Sequence, residues 1–213
     1  MNSFIICLIL FILGVISLAL YVLFAFERSN AVTFLEMRKC EQVIRRNFYK
    51  YQSEYRIISK DGSVDHLDIN GLANELGLEI MEAKLPKQVR GILDATTQPQ
   101  YHGVIKHTKE TSLYSSNFDI IHEMVHYIKD VGVGKRVDKS FARAHHGNPK
   151  SHQEQVIDYY AAAMAIPQES LKKRISAYGC DPYDDQFVAQ MMDVYKQPRE
   201  TVIRRISEVL SLS

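Results

Sequence analysis

The sequence predicts an α+β chain: an N-terminal transmembrane helix, then a small sheet of about three strands packed on a helical bundle. Three observations predict it. Residues 4–26 read FIICLILFILGVISLALYVLFAF, without one charged side chain. Three short stretches of strand character follow one another between residues 78 and 106. From residue 117 almost to the end, apolar side chains recur at spacings of three and four, the period of a helix face.

The first element is the apolar run. Crossing the hydrocarbon core takes about 20 apolar helical residues, so 4–26 is long enough. A cleaved signal peptide would carry a basic start, a shorter apolar stretch and a small-x-small cleavage site. Here the start is Met1-Asn2-Ser3, and the run ends in Leu23, Phe24 and Phe26. No basic residue precedes the run, whereas Arg28, Arg38, Lys39, Arg45 and Arg46 follow it closely. Basic residues stay on the cytoplasmic side. The expectation is therefore a single-pass cell-membrane protein, N-terminus outside and the large C-terminal portion in the cytoplasm. The three cysteines, Cys7, Cys40 and Cys180, have no CxxC spacing. They exclude a disulfide scaffold and suit a reducing compartment. With 26 basic and 25 acidic residues, the balanced charge gives no extended nucleic-acid surface.

Residues 27–60 read as a helical juxtamembrane connector, with Leu35, Val43, Ile44 and Phe48 at partly helical spacing. Its basic and aromatic composition suits a solvated helix or one lying on an anionic lipid surface. Residues 61–213 read as one domain. Asp61-Gly62 marks a turn. Leu67, Ile69, Leu72, Ala73 and Leu76 suggest a short helix closed by Gly77. Strands are expected at 78–83, 89–93 and 101–106, with ATTQPQ (95–100) as the loop of a hairpin. A long helix from residue 117 places Phe118, Ile121, Val125 and Ile128 on one apolar face. A Gly- and Lys-rich loop spans 131–150. Further helices are expected at 153–165, ended by Pro167, and at 168–178, 187–195 and 202–210.

The long helix contains His122-Glu123-Met124-Val125-His126. Residues four apart stack on one helix face, so both imidazoles can converge on one metal ion. Glu123 lies about 100° around the helix from His122. From there its carboxylate reaches a water beside the ion rather than the ion itself, the place a general base needs. A catalytic zinc site wants a third protein ligand and an open position. An HExxHxxGxxH arrangement is excluded, because Lys129 and Gly132 stand where Gly and His would be required. Glu154, on the next helix, is a candidate. Asp158, one turn on, could accept a hydrogen bond from the outer nitrogen of a ligating histidine. Two alternatives stand beside this. Ser151-x-x-Glu154 is also a capping box, which would employ Glu154 at the helix start. His145, His146 and His152 are rival third ligands.

HEMVH, then EQVIDYYAAAMAIP, then FVAQMMDVYKQPRETVIRRI resembles the ImmA/IrrE family of zinc metallopeptidases. Glu154, Asp158, Tyr160, Ala161, Met164 and Pro167 occupy the places of that family's second helix motif, and the strands around LGLEIMEAKLP follow the family's order. The resemblance covers about residues 65–212 and leaves out the apolar run and the connector. It implies His122, His126 and Glu154 as ligands of one Zn2+ and Glu123 as catalytic acid/base. It further implies a protein substrate, such as a helix-turn-helix transcriptional repressor, cut to derepress genes. The apolar run at 4–26 and the residues Tyr160, Ala165 and Ile166 depart from the usual members.

For an oxyanion donor, Tyr114, His145, His146, His152 and Tyr159 are candidates. Two readings from other classes remain. One is a membrane-tethered DNA-binding regulator, in which two helices around Lys196–Glu200 form a helix-turn-helix and Arg199, Arg204 and Arg205 touch phosphates. The other is a zinc-binding sensor without proteolysis.

Overall fold

The structure, a computed structural model, describes residues 13, 16, 17, 32–109, 112–144 and 151–212. Helix α1 (Phe34–Val43) opens on a closed capping box: Thr33 Oγ1 accepts from the Glu36 N–H, and the Glu36 carboxylate accepts from the Thr33 N–H. Through one π-helical turn, Ile44–Phe48, it continues into α2 (Tyr49–Glu54). Cys40, Ile44 and Phe48 face inward and join the main core. This segment is therefore packed along one side against the core and is not a fully solvated helix.

Strands β1 (Arg56–Ile58) and β2 (Asp65–Leu67) form a small antiparallel hairpin. The predicted Asp61-Gly62 turn lies between them. Helix α3 (Ile69–Leu76) is capped by Asp68, whose carboxylate accepts from the Gly71 N–H. It ends at Gly77, where φ is 66°. That left-handed backbone is why a glycine closes the helix.

The main sheet holds β3 (Leu78–Ala83), β4 (Val89–Asp94), β5 (Gly103–Thr108) and β6 (Phe141–Ala144) in the order β3-β5-β4-β6. β3 runs parallel to β5; β4 is antiparallel to both β5 and β6. The expected β4–β5 hairpin is present. The expected three strands become four, because the segment read as the loop 131–150 supplies β6. The bundle follows: α4 (Leu113–His126) with a π-helical turn at Tyr127–Val131, then α5 (His152–Ala165), α6 (Gln168–Tyr178), α7 (Asp185–Tyr195) and α8 (Arg199–Ser211). α4 is the central element. It touches β4 and β5 on one side and α5 on the other. Leu78, Leu93, Ile105, Ile121 and Met124 are fully buried around it, each contributing roughly 1.5–3 kcal/mol.

One expectation is corrected. Among the described residues, no helix is long and apolar enough to cross a membrane. The two longest helical stretches are broken by charge: 34–54 carries Glu36, Arg38, Lys39, Glu41, Arg45, Arg46, Lys50 and Glu54, and 113–131 carries Asp119, His122, Glu123, His126, Lys129 and Asp130, side chains that a lipid-facing span would not tolerate. The fold is a mixed α+β domain without a membrane-spanning helix among its described residues, and the expected single-pass cell-membrane placement is corrected with it. Apart from Leu13, Ile16 and Ser17, the run 4–26 lies outside the described residues.

Buried charge fastens α1 to the bundle. Arg205 of α8 is fully buried and donates to Glu41 of α1 at 2.7 Å, to Glu208 at 3.2 Å and to the Ile166 carbonyl at 3.1 Å. The Tyr159 hydroxyl of α5 donates to the same Glu41 carboxylate at 2.8 Å. Burial pushes the Glu208 carboxyl up, against the pull of Arg205. Replacing Arg205 by Met strands Glu41 without its cation and leaves Glu208 only Arg204, 3.6 Å away. The expected cost is about 3–5 kcal/mol of stability, read by urea unfolding. A loss below about 1 kcal/mol would show that other contacts hold α1.

Candidate metal centre

Ser112 starts α4 by accepting from the Ser115 N–H, and the helix then runs between sheet and bundle. Its predicted apolar face is buried at Phe118, Ile121 and Val125, at most 3% exposed, while Ile128 is partly buried. The opposite face is buried as well, with His122 and Glu123 at 0% and His126 at 5%. A solvated polar stripe is thus excluded. Enclosed imidazoles and a carboxylate require partners.

The partner comes from α5. Ser151 caps this helix by accepting from the Glu154 N–H at 3.2 Å. The Glu154 side chain turns instead to the histidines. Its Oε2 lies 3.2 Å from His122 Nε2 and its Oε1 3.4 Å from His126 Nε2. Glu154, Asp158, Ala162 and Ala165 share one stripe of α5 at spacings of three and four. The alanines keep that face small, so α5 can come close to α4.

The three side chains suit a metal ion. Their ligand atoms all lie within 4.8 Å of one another. Four donors at about 2.0–2.1 Å around a tetrahedral ion stand roughly 3.3 Å apart, close to the two separations found. Two imidazole nitrogens with a carboxylate are a zinc-type donor set.

Both outer nitrogens are engaged. His122 Nδ1 donates to Asp158 Oδ1 at 2.9 Å, and His126 Nδ1 donates to Asp130 Oδ2 at 2.7 Å. A carboxylate only accepts, so each Nδ1 carries its proton and each Nε2 is the nitrogen left for an ion. Arg204 of α8 in turn donates to Asp158 Oδ2 at 3.4 Å and to its carbonyl at 3.1 Å. Burial would lower the His126 pKa. Hydrogen bonds to Glu154 and Asp130, helped by the Glu123 charge, outweigh burial and raise it. Burial would raise Glu154, but the two imidazoles hold it well below the usual carboxylate range.

The remaining sequence candidates are placed elsewhere. His152 Nε2 meets Glu36 at 2.9 Å. The Tyr114 hydroxyl donates to Asp193, and that of Tyr159 to Glu41. His145 and His146 lie outside the described residues. Two neighbours of the centre escaped sequence reading. Asp130 stands four residues after His126, a spacing that could have revealed it. Phe141 of β6 stacks on the His126 ring at 5.3 Å, and no local signal marks it.

Two outcomes are expected. Asp158→Asn and Asp130→Asn should each weaken zinc binding by about 10–100-fold, measured by competition with a chromophoric chelator. A metal ion bound at His126 Nε2 would also have to displace a proton from that imidazole. Because that pKa is raised above 6.5, zinc affinity should begin to fall, as the solution is acidified, at a higher pH than for an ordinary imidazole. Unchanged affinity in both variants would show that the outer carboxylates do not orient the histidines.

A family model, Peptidase_M78, described as an IrrE N-terminal-like domain, matches residues 73–207. The match takes in the whole main sheet, both helices of the centre and most of α8. No curated protein matches the chain. The matched span covers well over half of the sequence: the chain belongs to the Peptidase_M78 family of IrrE N-terminal-like domains.

Proposed function

We propose that this protein is a zinc-dependent endopeptidase that cleaves a regulatory protein at a specific site. The observation that carries the reading is the convergence of His122 Nε2, His126 Nε2 and the Glu154 carboxylate from two neighbouring helices, in a chain whose family is a peptidase family. His122, His126 and Glu154 would hold the ion. Zinc so held makes a water acidic near neutral pH and polarises a peptide carbonyl.

The chain's own residues do the rest. Asp158 and Asp130 fix the imidazole planes through the two Nδ1–H bonds. Glu123 follows His122 directly and is fully buried, so its carboxylate is shielded from bulk solvent. It takes a proton from the attacking water and delivers it to the leaving amine nitrogen. Arg204 steadies Asp158 from behind.

The substrate proposed from the family resemblance is a helix-turn-helix transcriptional repressor. The DNA-binding alternative finds little support in its three arginines. Arg205 is fully buried, Arg204 is committed to Asp158, and Arg199 pairs with Asp185. The test uses a repressor encoded beside this protein as substrate, with products read by mass spectrometry. Glu123→Gln should keep one zinc per chain and lose cleavage by at least about 100-fold. Equal cleavage by the zinc-loaded wild type and variant would overturn the role of Glu123.

A further inference from the structure

Strand β4 turns two consecutive residues toward one face of α4. In a regular strand, neighbouring side chains point to opposite sides of the sheet. Here Arg90 Nε lies 3.4 Å from Asp119 Oδ2, while the next residue, Gly91, lies against the Glu123 carboxylate. Asp119 and Glu123 are one helical turn apart, on one stripe of α4. The register explains how both strand residues reach it. Val89 pairs with Ala144 and Gly91 with Arg143, so two steps along β4 match one along β6. That is a bulge at Arg90, a device that re-aims side chains.

The fit at Gly91 is tight. A Cβ there would stand 3.0 Å from Glu123 Oε1 and 3.3 Å from Glu123 Cγ. Glu123 is enclosed, so its carboxylate has little room to retreat. One turn earlier, the Arg90–Asp119 pair is also enclosed, at 12% and 1% side-chain exposure.

We propose that the β4 bulge positions the proton-carrying base: Gly91 leaves the space that the Glu123 carboxylate fills, and Arg90 sets the height of α4 through Asp119. The inference rests on the reading of Glu123 as that base. Gly91 and Arg90 are positioning residues, since they act through Glu123 and Asp119.

The test is a double-substitution cycle on the full chain. Gly91→Ala should lower the melting temperature of the metal-free protein by about 3 °C or more. Adding Glu123→Asp, which withdraws the carboxylate by one methylene, should restore at least half of that loss. With Co(II) in place of zinc, Gly91→Ala should keep the visible cobalt spectrum and bind acetohydroxamic acid about tenfold more weakly. The double variant should bind it no worse than the weaker single variant. Additive effects in the melting and hydroxamate cycles, with the cobalt spectrum intact, would overturn the inference alone. A wild-type chain that shows no cobalt spectrum would overturn the metallopeptidase reading beneath it.

Discussion

The structure turns on one crossing of two helices. α4 presents two imidazoles one turn apart, and α5 delivers a carboxylate to within 3.4 Å of both. Such a cluster is costly to enclose unless every polar atom has a partner. Much of the surrounding architecture answers that demand. Asp158 and Asp130 take the outer imidazole protons, and Arg204 backs Asp158. Alanines on α5 let the helices approach. The sheet closes the far side of α4 and, through Phe141, one face of His126.

A second layer of buried charge holds this arrangement in place from outside. Arg205 joins α8 to Glu41 of α1, and Tyr159 of α5 meets the same carboxylate. Arg204 and Arg205 are adjacent, yet one backs Asp158 of the candidate metal centre and the other fastens the N-terminal helix. The two roles are thus carried on a single turn of α8. A buried ion network of this kind contributes little net stability compared with apolar packing. Its effect is to fix which elements lie side by side.

The fold was legible where the signal was local. The histidine pair depends only on the helical repeat, and Gly77 depends only on needing a left-handed backbone. Strands β3, β4 and β5 carry enough Leu, Ile and Val to be read directly. β6 was not legible, because Phe141–Ala144 stands in a segment rich in Gly, Lys and Arg and becomes a strand only by pairing with β4. Glu154 was ambiguous for a different reason. Its position after Ser151 satisfies a helix cap as well as a ligand, and only the packing of α5 on α4 decides where the carboxylate points. The bulge at Arg90 likewise exists only in the register between two strands. The long apolar run suggested a membrane span, whereas the described helices are short or interrupted by charge.

The central claim is that one ion is held by residues of α4 and α5 together. Zinc K-edge X-ray absorption on protein loaded with one equivalent tests it most directly. The account predicts two imidazole nitrogens and carboxylate oxygen at about 2.0–2.2 Å, with the imidazole signal lost in His122→Ala. A shell containing sulfur, or an imidazole signal indifferent to that substitution, would contradict it.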